Sequence, residues 1–371
     1  MSELLLIAAW IFPLTLIPLL FTRLHGLLPL AALPALITAA LLPPGSDLEI
    51  PWLLLGSQFG LDMPDRVFLM FTAFLWMIAG AQAELTMRGK PRFNQFGIFF
   101  LLAMSGNFWL ILGLDMVNFY LGFTLMGLAS YGLVIYNRDP AALRAGRIYL
   151  VMTLLAEVAL LTAFMMIFIH TQDLTPAANQ IAGVSDWAIG FLLLGLGIKA
   201  GLLFVHMWLP LAHPAAPVPA SAVLSGAMIK VALVGWLRYL PLGEVVLWDW
   251  GLLLTILGVM TTFYAFVVGL LQTNPKAILA YSSISKMGII SLLLGLAMMW
   301  PELSSYVITA IVFYAAYHGL AKGALFLGVG VSHEISARWV FVLLTIPAFV
   351  MAGAPLTSGA MAKTLIKPVV L

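Results

Sequence analysis

The chain has 371 residues, of which 63% are hydrophobic and 9% charged, with a mean hydropathy of +1.08 and a formal net charge of +2. So few polar residues cannot cover a soluble surface, and the composition specifies an all-α polytopic membrane protein. Zero cysteines exclude disulfides, thiolate metal sites and iron–sulfur ligation, and the near-neutral charge gives no reason to expect a nucleic-acid partner.

The N-terminus lacks the basic leader and small-residue cleavage site of a signal peptide, so Leu4 to Leu20 reads as a first transmembrane helix. A bilayer core takes about 20 apolar residues per helix. Charged and proline-rich punctuation cuts the chain into twelve such runs: 4–21, 27–44, 66–85, 94–113, 116–136, 147–170, 186–207, 219–240, 249–271, 277–299, 304–331 and 338–370. One face collects Arg23, Arg88, Lys90, Arg92, Arg138, Arg144, Arg147, Lys276 and Arg338. The other collects Asp47, Glu49, Asp62, Asp65, Asp173, Asp186, Glu244, Asp249 and Glu302, with Arg66 and Arg238 as the basic exceptions. The positive-inside rule then places both termini outside a cytoplasmic (inner) membrane. No linker or soluble domain interrupts 1–371, which reads as one membrane domain.

Ionisable residues inside the apolar runs carry the functional signal. A lysine at a helix centre costs roughly 2.5 to 3.5 kcal/mol on insertion scales, so each one needs a reason. Lys199 lies midway along the seventh run, which must break near Pro210 because proline removes a donor and clashes with the preceding turn. Broken helices at membrane depth are tolerated where protein or water satisfies the freed carbonyls, which implies a buried hydrated cavity. In the eighth run Ala222, Gly226 and Lys230 fall on one stripe, with room for a neighbouring helix or for water. Tyr314, His318 and Lys322 repeat that spacing in the eleventh. The twelfth breaks again around Pro355, with Lys363 beyond the break, and two breaks in corresponding places suggest a duplicated architecture. Lysines suit proton relay because burial and a nearby carboxylate move their proton affinity in opposite directions, and histidines carry protons between them. His206 and His213 flank the first break, where they shape the proline-rich turn or join the relay; with no third ligand nearby they make no metal site. No cofactor or metal is expected.

The segments Lys199-Ala-Gly…His206-Met-Trp-Leu-Pro-Leu-Ala-His213…Met-Ile-Lys230, Asn274-Pro-Lys276…Ser-Lys286-Met-Gly, His318-Gly-Leu-Ala-Lys322 and Gly353-Ala-Pro-Leu-Thr-Ser-Gly359…Lys363 together resemble the antiporter-like, proton-conducting subunits of respiratory complex I and of Mrp-type sodium/proton antiporters. Membrane-bound hydrogenases and some inorganic-carbon uptake complexes share that domain. The resemblance runs from about residue 94 onward. It implies two inverted five-helix repeats (94–240 and a shortened 249–371, after N-terminal helices in 1–93), with Lys199 as the broken-helix lysine and Lys230 linking two half-channels. It further implies that His318 and Lys322 lie on a central hydrophilic axis and that Lys363 exchanges protons with the opposite side.

Three departures stand out. The family's usual glutamate partner of the first lysine is replaced here by Thr124, which nominates Glu157 as a substitute. Lys286 adds a positive charge to the axis where many relatives are neutral or carry imidazole. Relatives also continue for at least two more helices after the second break, so another subunit is expected to supply them or the second half-channel is altered. The reading is a proton-translocating subunit of a larger energy-coupled complex, with no active site of its own, working with other membrane subunits and a peripheral catalytic subunit of oxidoreductase type. The alternatives are a cation/proton antiporter subunit that also handles Na+, and an energising subunit of an inorganic-carbon uptake complex.

Overall fold

The computed structural model describes residues 2–22, 24, 26–334 and 338–370; Arg23, counted above among the basic loop residues, lies outside them. Helix α1 (Ser2–Thr15) continues through a 3₁₀ turn at Pro18–Phe21, and short helices α2 (Leu27–Leu30) and α3 (Leu33–Leu41) lead into a hairpin of β1 (Ser46–Ile50) and β2 (Ser57–Leu61). The helices α4 (Met63–Met87), α5 (Phe93–Leu112), α6 (Met116–Val134) and α7 (Pro140–Thr171) follow, and then the single turn α8 (Ala178–Ile181). Next come α9 (Asp186–Ala200), α10 (Trp208–Ala215), α11 (Val218–Gly226), α12 (Val231–Tyr239), α13 (Trp248–Leu270), α14 (Pro275–Met299), α15 (Ser304–Glu334), α16 (Arg338–Ala352) and α17 (Ser358–Val370). Among the described residues nine helical stretches are long and apolar enough to cross a bilayer. The other apolar runs are the short Leu27–Leu41 and the two broken ones, so the pattern of runs read from the sequence is borne out.

Helix starts are written locally. Asp62, Asp115, Asp139 and Asn274 each accept a backbone N–H of the first turn of α4, α6, α7 and α14. Proline in the first turn of three of these helices, α4, α7 and α14, fills positions whose N–H would be orphaned. Each such cap is worth about 1 kcal/mol. The hairpin was not foreseen: its ten residues look like a loop between apolar runs. It pairs Ser46 with Leu61 through Ile50 with Ser57, and Asp115 Oδ2 accepts from Gln58 N at 2.9 Å, tying the hairpin to the start of α6.

Both basic exceptions to the charge asymmetry have structural employment. Arg238 NH2 lies 2.7 Å from each Asp65 carboxylate oxygen and also donates to Ile111 O at 2.9 Å, within the last turn of α5. Arg66 donates to Ala39 O at 2.8 Å and Ala40 O at 3.0 Å, at the end of α3. Both guanidiniums sit where helix carbonyls are unsatisfied and the dipole favours a cation.

The first break begins earlier than Pro210. Helix α9 stops at Ala200, Gly201 takes φ +76°, Phe204 takes φ 74°, and Pro210 falls in the first turn of α10. Proline is tolerated at that position, so glycine ends the one helix while proline helps begin the next. Trp208 Nε1 donates to Ile198 O at 2.8 Å, and Leu203 N donates to Thr261 Oγ1 at 3.0 Å, so the unwound segment is pinned from α10 and α13. The second break has the same form: Gly353 at φ +70° and Leu356 at φ 64° separate α16 from α17, with Pro355 in the turn.

Candidate functional site

The eighth run is itself distorted at its lysine. After α11 ends at Gly226, Ala227 takes φ −109°, ψ −58°, and a 3₁₀ turn spans Met228–Lys230 before α12 resumes. The Lys230 backbone N–H therefore bonds to Ala227 O at 3.0 Å, while its side chain turns back to donate to Ser225 O at 2.5 Å. Lys230 is 0% exposed. The small-residue stripe receives a helix: a methyl on Gly226 would lie 2.8 Å from Gly319 O, and one on Gly319 would lie 2.6 Å from Gly226 O. Backbone-to-backbone contact of α11 with α15 brings Lys230 beside His318 and Lys322.

Those residues form one buried basic cluster. His318 and Lys322 are fully buried, Lys322 Nζ donates to Leu279 O at 2.7 Å, and both His318 ring nitrogens have no hydrogen-bond partner among the described residues. The charges of Lys230, Lys322 and Lys286 all act on His318, and Lys286 in turn feels Lys363. His213 joins from α10: it is fully buried, stacks on Phe326 with ring centroids 4.6 Å apart, and feels Lys276, Lys322 and Lys230. Ser225 and Ser283 hydroxyls, 2.8 Å apart, link α11 to α14 beneath Lys230. Tyr314 is buried one turn before His318, its ring centroid 6.1 Å from the imidazole and 5.0 Å from Tyr317.

Lys199 and Glu157 form a second group. Lys199, in the last turn of α9, is 4% exposed, and its Nζ lies 5.5 Å from the Phe123 ring centre, 5.8 Å from Tyr149 and 6.0 Å from Trp208, an aromatic cage of cation–π geometry. Glu157, 5% exposed on α7, faces α6 at Gly127: a methyl there would sit 3.1 Å from its Oε1. Lys199 is close enough for its charge to act on Glu157, although the two make no ion pair within 4.0 Å. Thr124 lies one turn before Gly127, so Glu157 approaches from α7 the region that a carboxylate on α6 would occupy. Glu157 Oε1, Thr124 Oγ1 and Lys199 Nζ all lack hydrogen-bond partners among the described residues.

Three candidates lie apart from these groups. Lys363 is exposed and caps the second break, donating to Ala352 O at 2.7 Å. Lys286 is half-buried between it and the cluster. His206 is buried in the first break against Tyr264, ring centroids 5.1 Å apart, with both nitrogens unpartnered among the described residues. Sequence reasoning missed Lys276. It donates to Ala216 O at 2.6 Å from the rim of a cavity of about 710 Å³ that reaches the Pro214–Pro219 turn, directly next to His213. The Asn-Pro-Lys motif around it was visible, but a lysine at a helix start reads as a loop charge. Among the described residues no three His, Asp or Glu side chains converge as metal ligands would.

The fold and the buried basic cluster define a multi-pass membrane protein of the antiporter-like class. Residues 113–370 match the family model described as NADH:quinone oxidoreductase/Mrp antiporter, TM, and the chain belongs to that family. Hydrogenase-4 component B of Escherichia coli is 32% identical over 243 residues, covering 62% of this chain and 35% of that protein. A putative antiporter subunit mnhA2 of Staphylococcus haemolyticus is 28% identical over 358 residues, covering 87% and 43%. The chain thus spans less than half the length of these curated relatives. In fold it is similar to a chain of the Mrp complex from Dietzia sp. (TM-score 0.83, 24% identity, 99% of this chain and 74% of that one). It is also similar to a chain of the membrane-bound sulfane sulfur reductase, an archaeal respiratory membrane complex (0.82, 21%, 99% and 81%).

Proposed function

We propose that this chain moves protons across a cytoplasmic membrane as a subunit of a larger energy-coupled complex, through a relay running from Glu157 and Lys199 to Lys230, then His318 and Lys322, and outward by Lys286 and Lys363. The observation that carries this reading is the buried group Lys230–His318–Lys322, packed together by the Gly226–Gly319 contact and holding no carboxylate ion pair among the described residues. In a low-dielectric interior, neighbouring positive charges repel strongly, so a proton arriving at one site favours departure from the next. Glu157 takes the part of the carboxylate absent at Thr124: its approach to Lys199 favours a charged lysine, and its withdrawal releases the proton onward. The two breaks and their lysines support a duplicated layout of 94–240 and 249–371, and the loop charges support an N-terminus outside.

Other membrane subunits and a peripheral catalytic subunit are the expected partners, and the hydrogenase and respiratory relatives favour coupling to a redox step. A second reading, cation/proton exchange including Na+, is favoured by the likeness to an Mrp complex and to mnhA2. Proton flux through the reconstituted complex decides between them. Lys199→Ala is expected to abolish redox-driven flux in the first case, whereas flux driven by a sodium gradient without redox substrate moves the answer to the second.

A further inference from the structure

The loop joining α4 to α5 borders a cavity of about 540 Å³ lined by none of the proposed relay residues, although its Lys90 also lines the cavity of about 710 Å³ described above. Arg88, Lys90 and Arg92 line it, together with Asn94 in the first turn of α5 and Leu20 and Phe21 from the turn that follows α1. Arg88 is paired with Glu84 at 2.6 Å, but Lys90 and Arg92 have no carboxylate within 4.0 Å among the described residues; Arg92 makes one contact, at 3.4 Å, to Tyr136 O. Gly89 at φ +80° and Arg92 at φ 67° curl the loop around the opening. No side chain caps α5, whose first-turn N–H groups add positive potential to that of the two free cations. The cavity lies where α4 leaves and α5 enters the apolar layer. Its other wall is formed by Leu20, buried at 6% exposed, by Phe21, 67% exposed, and by Thr22, so Phe21 supplies the open apolar surface.

We propose that this cavity binds the phosphate headgroup of an anionic phospholipid, with Lys90 and Arg92 on the phosphate and an acyl chain along Leu20 and Phe21. Basic pockets between transmembrane helices at the headgroup level select anionic lipids on these grounds, and each Lys or Arg near the surface contributes about a fivefold gain in affinity. The apolar wall distinguishes a lipid from a free anion: inorganic phosphate would use the cations and leave Leu20 and Phe21 idle.

The test reads lipid retained by the protein on extraction from phosphatidylcholine vesicles containing phosphatidylglycerol, measured by native mass spectrometry. Wild type is expected to retain phosphatidylglycerol over phosphatidylcholine. Lys90→Gln should lower occupancy about fivefold and the Lys90→Gln/Arg92→Gln pair by roughly 25-fold, while Arg147→Gln, which removes an exposed charge outside this cavity, should leave it unchanged. Unchanged retention in the double variant, or equal retention of both lipids, overturns the proposal. Displacement of phosphatidylglycerol by an equal concentration of inorganic phosphate overturns the lipid assignment. Should the double variant accumulate poorly, Lys90→Glu alone, at an exposed loop position, gives the same decision.

Discussion

In the proposed relay the switch rests on Glu157, and the surroundings of that residue make the proposal testable. The carboxylate occupies space that Gly127 leaves open on α6, beside an aromatic-caged lysine. Glu157→Gln keeps the shape and removes the charge, and is expected to lower proton flux at least tenfold. Adding Thr124→Glu to that variant should restore part of the flux, because it returns a carboxylate to the same region from the facing helix; no rescue would show that Glu157 acts elsewhere. Gly127→Ala would press a methyl to 3.1 Å from Glu157 Oε1 and 2.9 Å from Thr153 Cγ2. It should cost about 1–3 kcal/mol in overpacking, read as a lower unfolding temperature along with reduced flux. The lysines and histidines of the proposed relay were legible as candidates residue by residue, since each is conspicuous in an apolar run. Lys276 and the Phe123–Tyr149–Trp208 cage were not, because a helix-start lysine and scattered aromatics have ordinary uses in any membrane protein.

Among the elements, the breaks were legible and their positions less so. Proline announced the first one, but glycine at a left-handed backbone position sets where α9 stops. Gly201→Ala is expected to destabilise by about 1–2 kcal/mol, measurable as a shift in unfolding temperature. The distortion between α11 and α12 carries no proline; Gly226, where α11 ends, reads as a packing residue of the stripe, and it did not foretell a 3₁₀ turn ending on Lys230. Helix packing escaped in part too. The Ala222–Gly226–Lys230 stripe left helix or water open, and only the approach of Gly319 decides for the helix. Bulk at that contact should be ruinous: Gly226→Val collides with Gly319 O and with Leu75 Cδ2, which even a single methyl would overlap, and is expected to abolish folded yield in membranes.

At the scale of the whole molecule, charge organises the structure in two ways. Under the proposed orientation loop charges set the sidedness of the helices, and the exceptions, Arg66 and Arg238, are tied to helix ends. Removing one partner of the buried Asp65–Arg238 pair should cost about 3–5 kcal/mol, since it strands the other charge, whereas replacing both with apolar residues should cost far less. Comparing the unfolding temperatures of Asp65→Leu, Arg238→Met and the double variant checks that coupling. In the proposed relay the interior charges serve the other purpose: Lys230 and Lys322, costly to place in an apolar layer, are fully buried together. Lys230 stands at the junction of both proposed half-channels, so proton flux through the reconstituted complex carrying Lys230→Ala, with its energy source supplied, tests the account most directly. A severe loss of flux with the complex still assembled is expected; flux at the wild-type level in that assembled complex would contradict the proposed role of Lys230.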